Sequence, residues 1–147
     1  MKIYFAGSIR GGRDDADIYH GLIMFLKSFG QVLTEHVGDT GLTEIGDDGP
    51  DDRYIHDRDM KWLISCDLVV AEVSMPSLGV GYEIGWAKAL DKPVLCLHRP
   101  RPGRPLSAMI SGCDKIETRA YSSFEEAQKL IGAFLKKFDN TMHLLPG

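Results

Sequence analysis

At 147 residues, 44% hydrophobic and 26% charged, the chain has the size and balance of one globular domain, large enough for a three-layer core and too small for two. A net charge of −4 excludes a general nucleic-acid-binding surface, because a phosphate polymer would be repelled, whereas a small anion needs only a local pocket of Arg and backbone N–H groups. Cys66, Cys96 and Cys113 are odd in number and lack C-x-x-C spacing, and no apolar run approaches the roughly 20 residues that span a bilayer. The expectation is a cytoplasmic protein of one domain over residues 1–147, with reduced thiols, no membrane or nucleic-acid partner, no metal and no cofactor.

Lys2 to Ala6 is a short apolar run that predicts a first strand, and Gly7-Ser8-Ile9-Arg10-Gly11-Gly12-Arg13 follows it. Glycines can turn backbone N–H groups toward an anion, and Arg10 or Arg13 can add a charged partner. The pattern matches neither G-x-x-x-x-G-K-[ST] nor G-x-G-x-x-G, so a P-loop or dinucleotide site is not supported. Ile18, Leu22, Phe25, Leu26 and Phe29 then fall at helical spacing, with Gly30 as a C-terminal stop. Gln31 to His36 reads as another strand, whose final His36 could line a pocket. Gly38 to Arg53 is a Gly- and Asp-rich loop of about sixteen residues, long enough to serve as a lid or to be plain surface.

A helix is predicted over Tyr54 to Ser65. Ile55, Asp59, Trp62, Leu63 and Cys66 share one side of it, so Asp59 interrupts an apolar stripe. Asp67 to Val73 and Pro93 to His98 are continuous apolar strands suited to a sheet covered on both faces. Between them, Ser74 to Glu83 is a second Gly- and Ser-bearing loop running into a helix over Gly79 to Leu90. The basic, proline-rich Arg99 to Ser107 follows, then a weaker strand over Ile116 to Tyr121 and a helix over Phe124 to Phe138. Alternating strands and helices imply an α/β fold: an open, parallel, five-stranded sheet of flavodoxin-like or Rossmann-like type, three layers deep, with ligands at the carboxyl ends of the strands.

Two loops of this kind, side by side, would form an anion site from Gly7, Ser8, Ile9 and Arg10 on one side and Ser77 and Gly79 on the other. Glu83 would lie one turn into its helix at the same edge. A carboxylate beside an anion site is unfavourable for binding, and nucleophilic or general-base work would explain it. The favourable helix dipole in a first turn explains it equally well. Asp59 comes from a helix that starts at the same edge, and two carboxylates converging on one pocket is what glycosidic chemistry requires. An ion pair with a neighbouring Arg is its other reading. Glu72, inside an apolar run, is expected to form a structural ion pair with an arginine of a basic loop.

Taken in order, Tyr4 to Arg13, Val32-Leu33-Thr34-Glu35-His36-Val37, Pro76 to Glu83 and Leu106-Ser107-Ala108-Met109-Ile110 resemble the 2′-deoxynucleoside 5′-phosphate N-hydrolases of the Rcl type, within the nucleoside deoxyribosyltransferase-like superfamily. The resemblance implies hydrolysis of the N-glycosidic bond of a 2′-deoxynucleoside 5′-monophosphate through a covalent glycosyl-enzyme. Glu83 would be the nucleophile, Asp59 its carboxylate partner and Tyr4 a third active-site residue. Ser8, Ile9 and Arg10 would line the site, Ser77 and Gly79 would hold the 5′-phosphate, and Ser107 would reach it from the second subunit of a homodimer. The related deoxyribosyltransferases carry an Asp six residues before the Glu, where this chain has Ser77, and a hydroxyl can donate to a phosphate that a carboxylate would repel. The alternatives are that transferase activity, a ribonucleotide hydrolase of the cytidine monophosphate type, and a nucleotide-binding module without turnover. Departures in the acidic Gly38 to Arg53 loop, Trp86 and His98 leave the preferred base open.

Overall fold

A computed structural model describes residues 1–10, 12, 14–39, 41 and 51–142. Five parallel strands, β1 (Lys2–Ala6), β2 (Gln31–Val32), β3 (Leu68–Glu72), β4 (Val94–His98) and β5 (Glu117–Ala120), form one sheet in the order β2-β1-β3-β4-β5. The helices are α1 (Ala16–Leu26), α2 (Asp52–Ser65), α3 (Leu78–Ala89), the single turn α4 (Ala108–Ser111) and α5 (Phe124–Met142). This is the flavodoxin-like order, as expected. The direction of winding reverses between β1 and β3, and at such a point the two following loops diverge to leave a crevice.

The strands are apolar on both sides because both faces are covered. Ile3, Phe5, Leu68, Val70, Leu95 and Leu97 pack against α1 and α5, with Tyr19, Leu22, Ile131 and Phe134 filling that layer. Tyr4, Ala6, Val69, Ala71 and Cys96 point the other way, against Leu63 of α2 and Val80, Ile84 and Ala87 of α3. The two-residue period of a strand therefore assigns side chains to opposite chemistries: Tyr4 faces α3, whereas Glu72, in phase with Leu68 and Val70, faces α1.

Three elements differ from the sequence expectation. The second strand stops at Val32, because Thr34 then meets β1 with its side chain: its hydroxyl accepts from Phe5 N at 2.8 Å and donates to Phe5 O at 2.6 Å. Glu35–Gly38 continues as a 3-10 turn, so His36 does not end a strand. The first helix ends at Leu26 and not at Phe29, and Gly30 serves a close approach rather than a helix cap: a Cβ there would stand 2.3 Å from the Met1 carbonyl oxygen. At its N-terminal end α2 includes Asp52 and Arg53, started by Asp51, whose side chain accepts from Tyr54 N. The lid reading of the Gly38 to Arg53 loop rests on residues 40 and 42–50, and these lie outside the described residues, as do Gly11 and Arg13 of the first basic loop.

Candidate active site

At the carboxyl ends of β1 and β3 lies a cavity of about 540 Å³, lined by Gly7, Ile9 and Arg10 after β1, by Asp52, Ile55, His56 and Asp59 of α2, and by Ser77 to Val80 and Glu83 of α3. The first loop is shaped by packing: a Cβ on Gly7 would come within 3.0 Å of the Tyr19 ring. Alternate residues of this loop point apart. Gly7 and Ile9 face the cavity, while Ser8 is fully buried and its backbone N–H donates to the Tyr19 hydroxyl at 3.2 Å. The expectation that Ser8 lines the site is corrected accordingly. Arg10 is at the rim, where it pairs with Asp52 at 2.8 Å in an exposed contact.

Ser77 is the N-cap of α3, its hydroxyl oxygen accepting from Val80 N at 3.3 Å. That bond uses a lone pair and leaves the hydroxyl proton to be donated, next to the amides of a helix N-terminus and beside Gly79. An anion seated there would meet Ser77, the first amides of α3 and, on rotation away from Asp52, Arg10.

Glu83 lies one turn further along α3, partly buried. The Tyr4 hydroxyl donates to its Oε1 at 2.6 Å. Burial pushes the Glu83 carboxyl up to about 7; the Tyr4 hydrogen bond opposes this and the Asp59 charge adds to it. Burial, followed by the charges of Glu83 and Asp59, holds the Tyr4 phenol far above its usual range, so it remains a neutral donor. Tyr4 thus sits behind the nucleophile candidate rather than on the cavity wall.

Asp59 is brought to the same cavity by α2, as its place in the apolar stripe requires. It also has the arginine partner of the alternative reading: Arg58 Nε and Nη2 both reach Asp59 Oδ1 at 3.0 Å. His36 does not line the cavity. Its ring packs on Trp62 with centroids 5.7 Å apart, and its Nε2 stands 3.3 Å from Arg58 Nη2.

Ser107 lies outside this cavity, as the N-cap of α4, on a neighbouring groove of about 400 Å³ that shares Ser77, Leu78 and Val80 with it. Two lining residues passed over by sequence reasoning are Asp52 and His56. The ring nitrogens of His56 meet Asp57 at 2.9 Å and the Tyr82 hydroxyl at 3.0 Å. Only the proximity of α2 to α3 reveals them, since neither breaks a sequence pattern. Glu72 is excluded from the cavity by strand phase. Fully buried on the opposite face, it accepts from Ser74 N and Oγ and lies 3.7 Å from Arg99, which also pairs with Asp15. The expected ion pair is present, and its arginine comes from the proline-rich loop.

A family model described as nucleoside 2-deoxyribosyltransferase matches residues 3–142. A protein of Tetraodon nigroviridis named 5-hydroxymethyl-dUMP N-hydrolase is 60% identical over 118 residues, covering 78% of this chain and 81% of that one. Its namesake from Esox lucius is 47% identical over 141 residues, covering 92% and 97%. Among solved structures, the Clostridium botulinum CMP N-glycosidase BcmB superposes with a TM-score of 0.64 over 90% of this chain and 99% of its own, at 17% identity, a likeness of fold. With a family model spanning nearly the whole chain and relatives this similar over most of their length, the chain belongs to the nucleoside 2-deoxyribosyltransferase family.

Proposed function

We propose that this protein hydrolyses the N-glycosidic bond of 2′-deoxynucleoside 5′-monophosphates, releasing the free base and 2-deoxyribose 5-phosphate. The observation that carries the reading is Glu83: a carboxylate held by the neutral Tyr4 hydroxyl at 2.6 Å, in one cavity with a second carboxylate, Asp59. Relatives at 47 and 60% identity named as nucleotide N-hydrolases support the same chemistry.

In this mechanism a Glu83 oxygen bonds to the anomeric carbon as the C–N bond breaks and its electron pair leaves with the base. The base leaves as an anion; Asp59 orients the sugar and, in the second step, takes the proton of the attacking water, which passes to the departed base. Water then attacks the glycosyl ester and restores the Glu83 carboxylate. The 5′-phosphate rests on Ser77, the amides near Gly79, and Arg10. Ser77 favours hydrolysis of a phosphorylated substrate over transfer between unphosphorylated nucleosides, since its hydroxyl donates where an Asp would repel.

A homodimer belongs to the same proposal. Leu78 and Met109, 96% and 82% exposed, are large apolar residues on the groove that also holds Ser107. A second copy covering that groove would bury them and bring a Ser107 hydroxyl beside the phosphate end of the cavity.

The test is a panel of ribo- and deoxynucleoside 5′-monophosphates, including 5-hydroxymethyl-dUMP, with matching nucleosides, assayed for base release. Release from deoxynucleotides alone is expected, with a 2-deoxyribose 5-phosphate adduct on Glu83 detectable by mass spectrometry when turnover is quenched. Preferential base exchange on unphosphorylated nucleosides would replace the proposal with transferase activity, and binding without release would replace it with a regulatory module. For the dimer, sedimentation of the wild type and of Met109→Glu is decisive: a monomeric wild type would remove the Ser107 role.

A further inference from the structure

Arg58 stands outside the catalytic scheme above, yet it is the cation next to that scheme's second carboxylate. Neighbours in a helix point about 100° apart and Arg58 is off the apolar stripe that carries Asp59, so the spacing alone does not bring the two side chains together. Its length resolves this. The guanidinium turns back so that Nε and Nη2 both contact Asp59 Oδ1 at 3.0 Å, and the two side chains are only 19% and 21% exposed. Three further contacts fix the guanidinium plane. It lies 4.7 Å over the Trp62 ring and 6.0 Å from the Tyr54 ring, and Nη2 lies 3.3 Å from His36 Nε2. A planar, stacked and largely buried fork aimed at one carboxylate oxygen is a geometry that lysine cannot reproduce.

Two carboxylates in one low-dielectric cavity resist being ionised together, and a proton shared between them would quench the nucleophile. We propose that Arg58 is a positioning residue: it fixes the Asp59 carboxylate toward the cavity and supplies the positive charge that lets Asp59 and Glu83 be ionised at once. The proposal rests on the catalytic reading of Glu83 and Asp59 given above. The charged and titratable groups facing the pair are Tyr4 from β1, Arg10 after it, His36 from the 3-10 turn, Asp52, His56 and Arg58 from α2, and Cys66 at the end of α2. Of these, Arg10 is held at the rim by Asp52, and His56 by Asp57 and Tyr82. Among the described residues, Arg58 is the permanent cation in contact with Asp59, the carboxylate that faces Glu83 in the cavity.

Its consequences are separable. Removing the charge makes the Asp59 and Glu83 pair hold a proton more tightly, whichever oxygen carries it. Keeping the charge but losing the fork leaves the protonation intact and the Asp59 oxygen misaimed. In Arg58→Gln the acid limb of the kcat/KM profile moves up by about one pH unit, and the carboxyl resonances of selectively 13C-labelled Asp59 and Glu83 titrate higher by a similar amount. In Arg58→Lys the limb and the titration return toward wild type, while plateau kcat stays about tenfold low.

Thermal unfolding of each variant shows that it is folded. A folded Arg58→Gln whose profile and carboxyl titration both match wild type overturns the proposal. Should Arg58→Gln not fold, Arg58→Lys decides: lowered kcat with an unmoved limb supports the positioning role, and wild-type kcat overturns it. Retention of turnover by Glu83→Ala would sink the catalytic reading instead, and the carboxyl titration, which needs no turnover, would still judge Arg58.

Discussion

Each face of the sheet holds a glutamate, Glu72 fully buried and Glu83 partly so, and the two are built oppositely. Glu72, on the α1 and α5 side, takes two hydrogen bonds from Ser74 and lies 3.7 Å from Arg99, which Asp15 also holds. Glu83, on the α2 and α3 side, has the neutral Tyr4 hydroxyl and an acidic neighbour, and opens to a cavity. Burial raises the pKa of both. What separates them is what burial is set against. At Glu72 donors and a cation offset it, and the result is a fastening between strand, helix and loop. At Glu83 the imbalance is left standing beside open space, where a substrate can relieve it.

The sharpest way to break this contrast is to remove each carboxylate in turn. Glu83→Gln is expected to lower base release by about 10³-fold or more while remaining folded, and Glu72→Gln to leave kcat of the folded fraction within a few-fold of wild type. Equal losses of kcat would erase the distinction. Arg99→Ala tests the fastening: it strands Glu72 and Asp15 without their cation and should cost about 3 kcal/mol in denaturant unfolding, with little change in KM.

Next comes a stability gain at the opposite site. The folded pKa of Glu83, about 7, lies above its ordinary 4.5, so ionising it opposes folding. The contribution of Glu83 is fully present below pH 4.5 and is lost as pH rises through 7. Glu83→Gln should therefore match wild type near pH 4 and exceed it by about 3 kcal/mol at pH 8. A pH-independent difference would show that Glu83 is not strained by burial. The smallest effect is expected from Tyr4→Phe. Loss of the hydrogen bond removes a donor that favours the charged carboxylate, so the acid limb, expected near pH 7 in the wild type, moves upward and kcat falls about tenfold. An acid limb that moved downward would reverse the assigned role of the phenol.

The sequence revealed what depends on periodicity. The apolar runs at Lys2 to Ala6, Asp67 to Val73 and Pro93 to His98 can be buried on both sides only in a parallel sheet, and the stripe around Asp59 marks a carboxylate turned toward the interior. It concealed what depends on one side chain standing in for another group. Thr34 replaces a backbone ladder with its hydroxyl, so the β2 strand is shorter than its β-branched residues suggest. Ser8 is buried with its backbone N–H on the hydroxyl of Tyr19, a helix residue eleven positions away. The Arg58 pair with Asp59 was legible as an alternative to a cavity-facing carboxylate; that the long stem allows both at once was not.

The hydrogen bond from Tyr4 to Glu83 joins groups 79 residues apart in the chain. One is held by the first strand and the other by a helix that follows the third, so the reactive carboxylate acquires its donor only when that helix docks across a strand already paired on both sides. Contacts of such long sequence separation carry a large loop-closure penalty and tend to be made late in folding. Catalytic competence should therefore lag behind recovery of helical signal during refolding, making turnover a readout of complete assembly rather than of secondary structure.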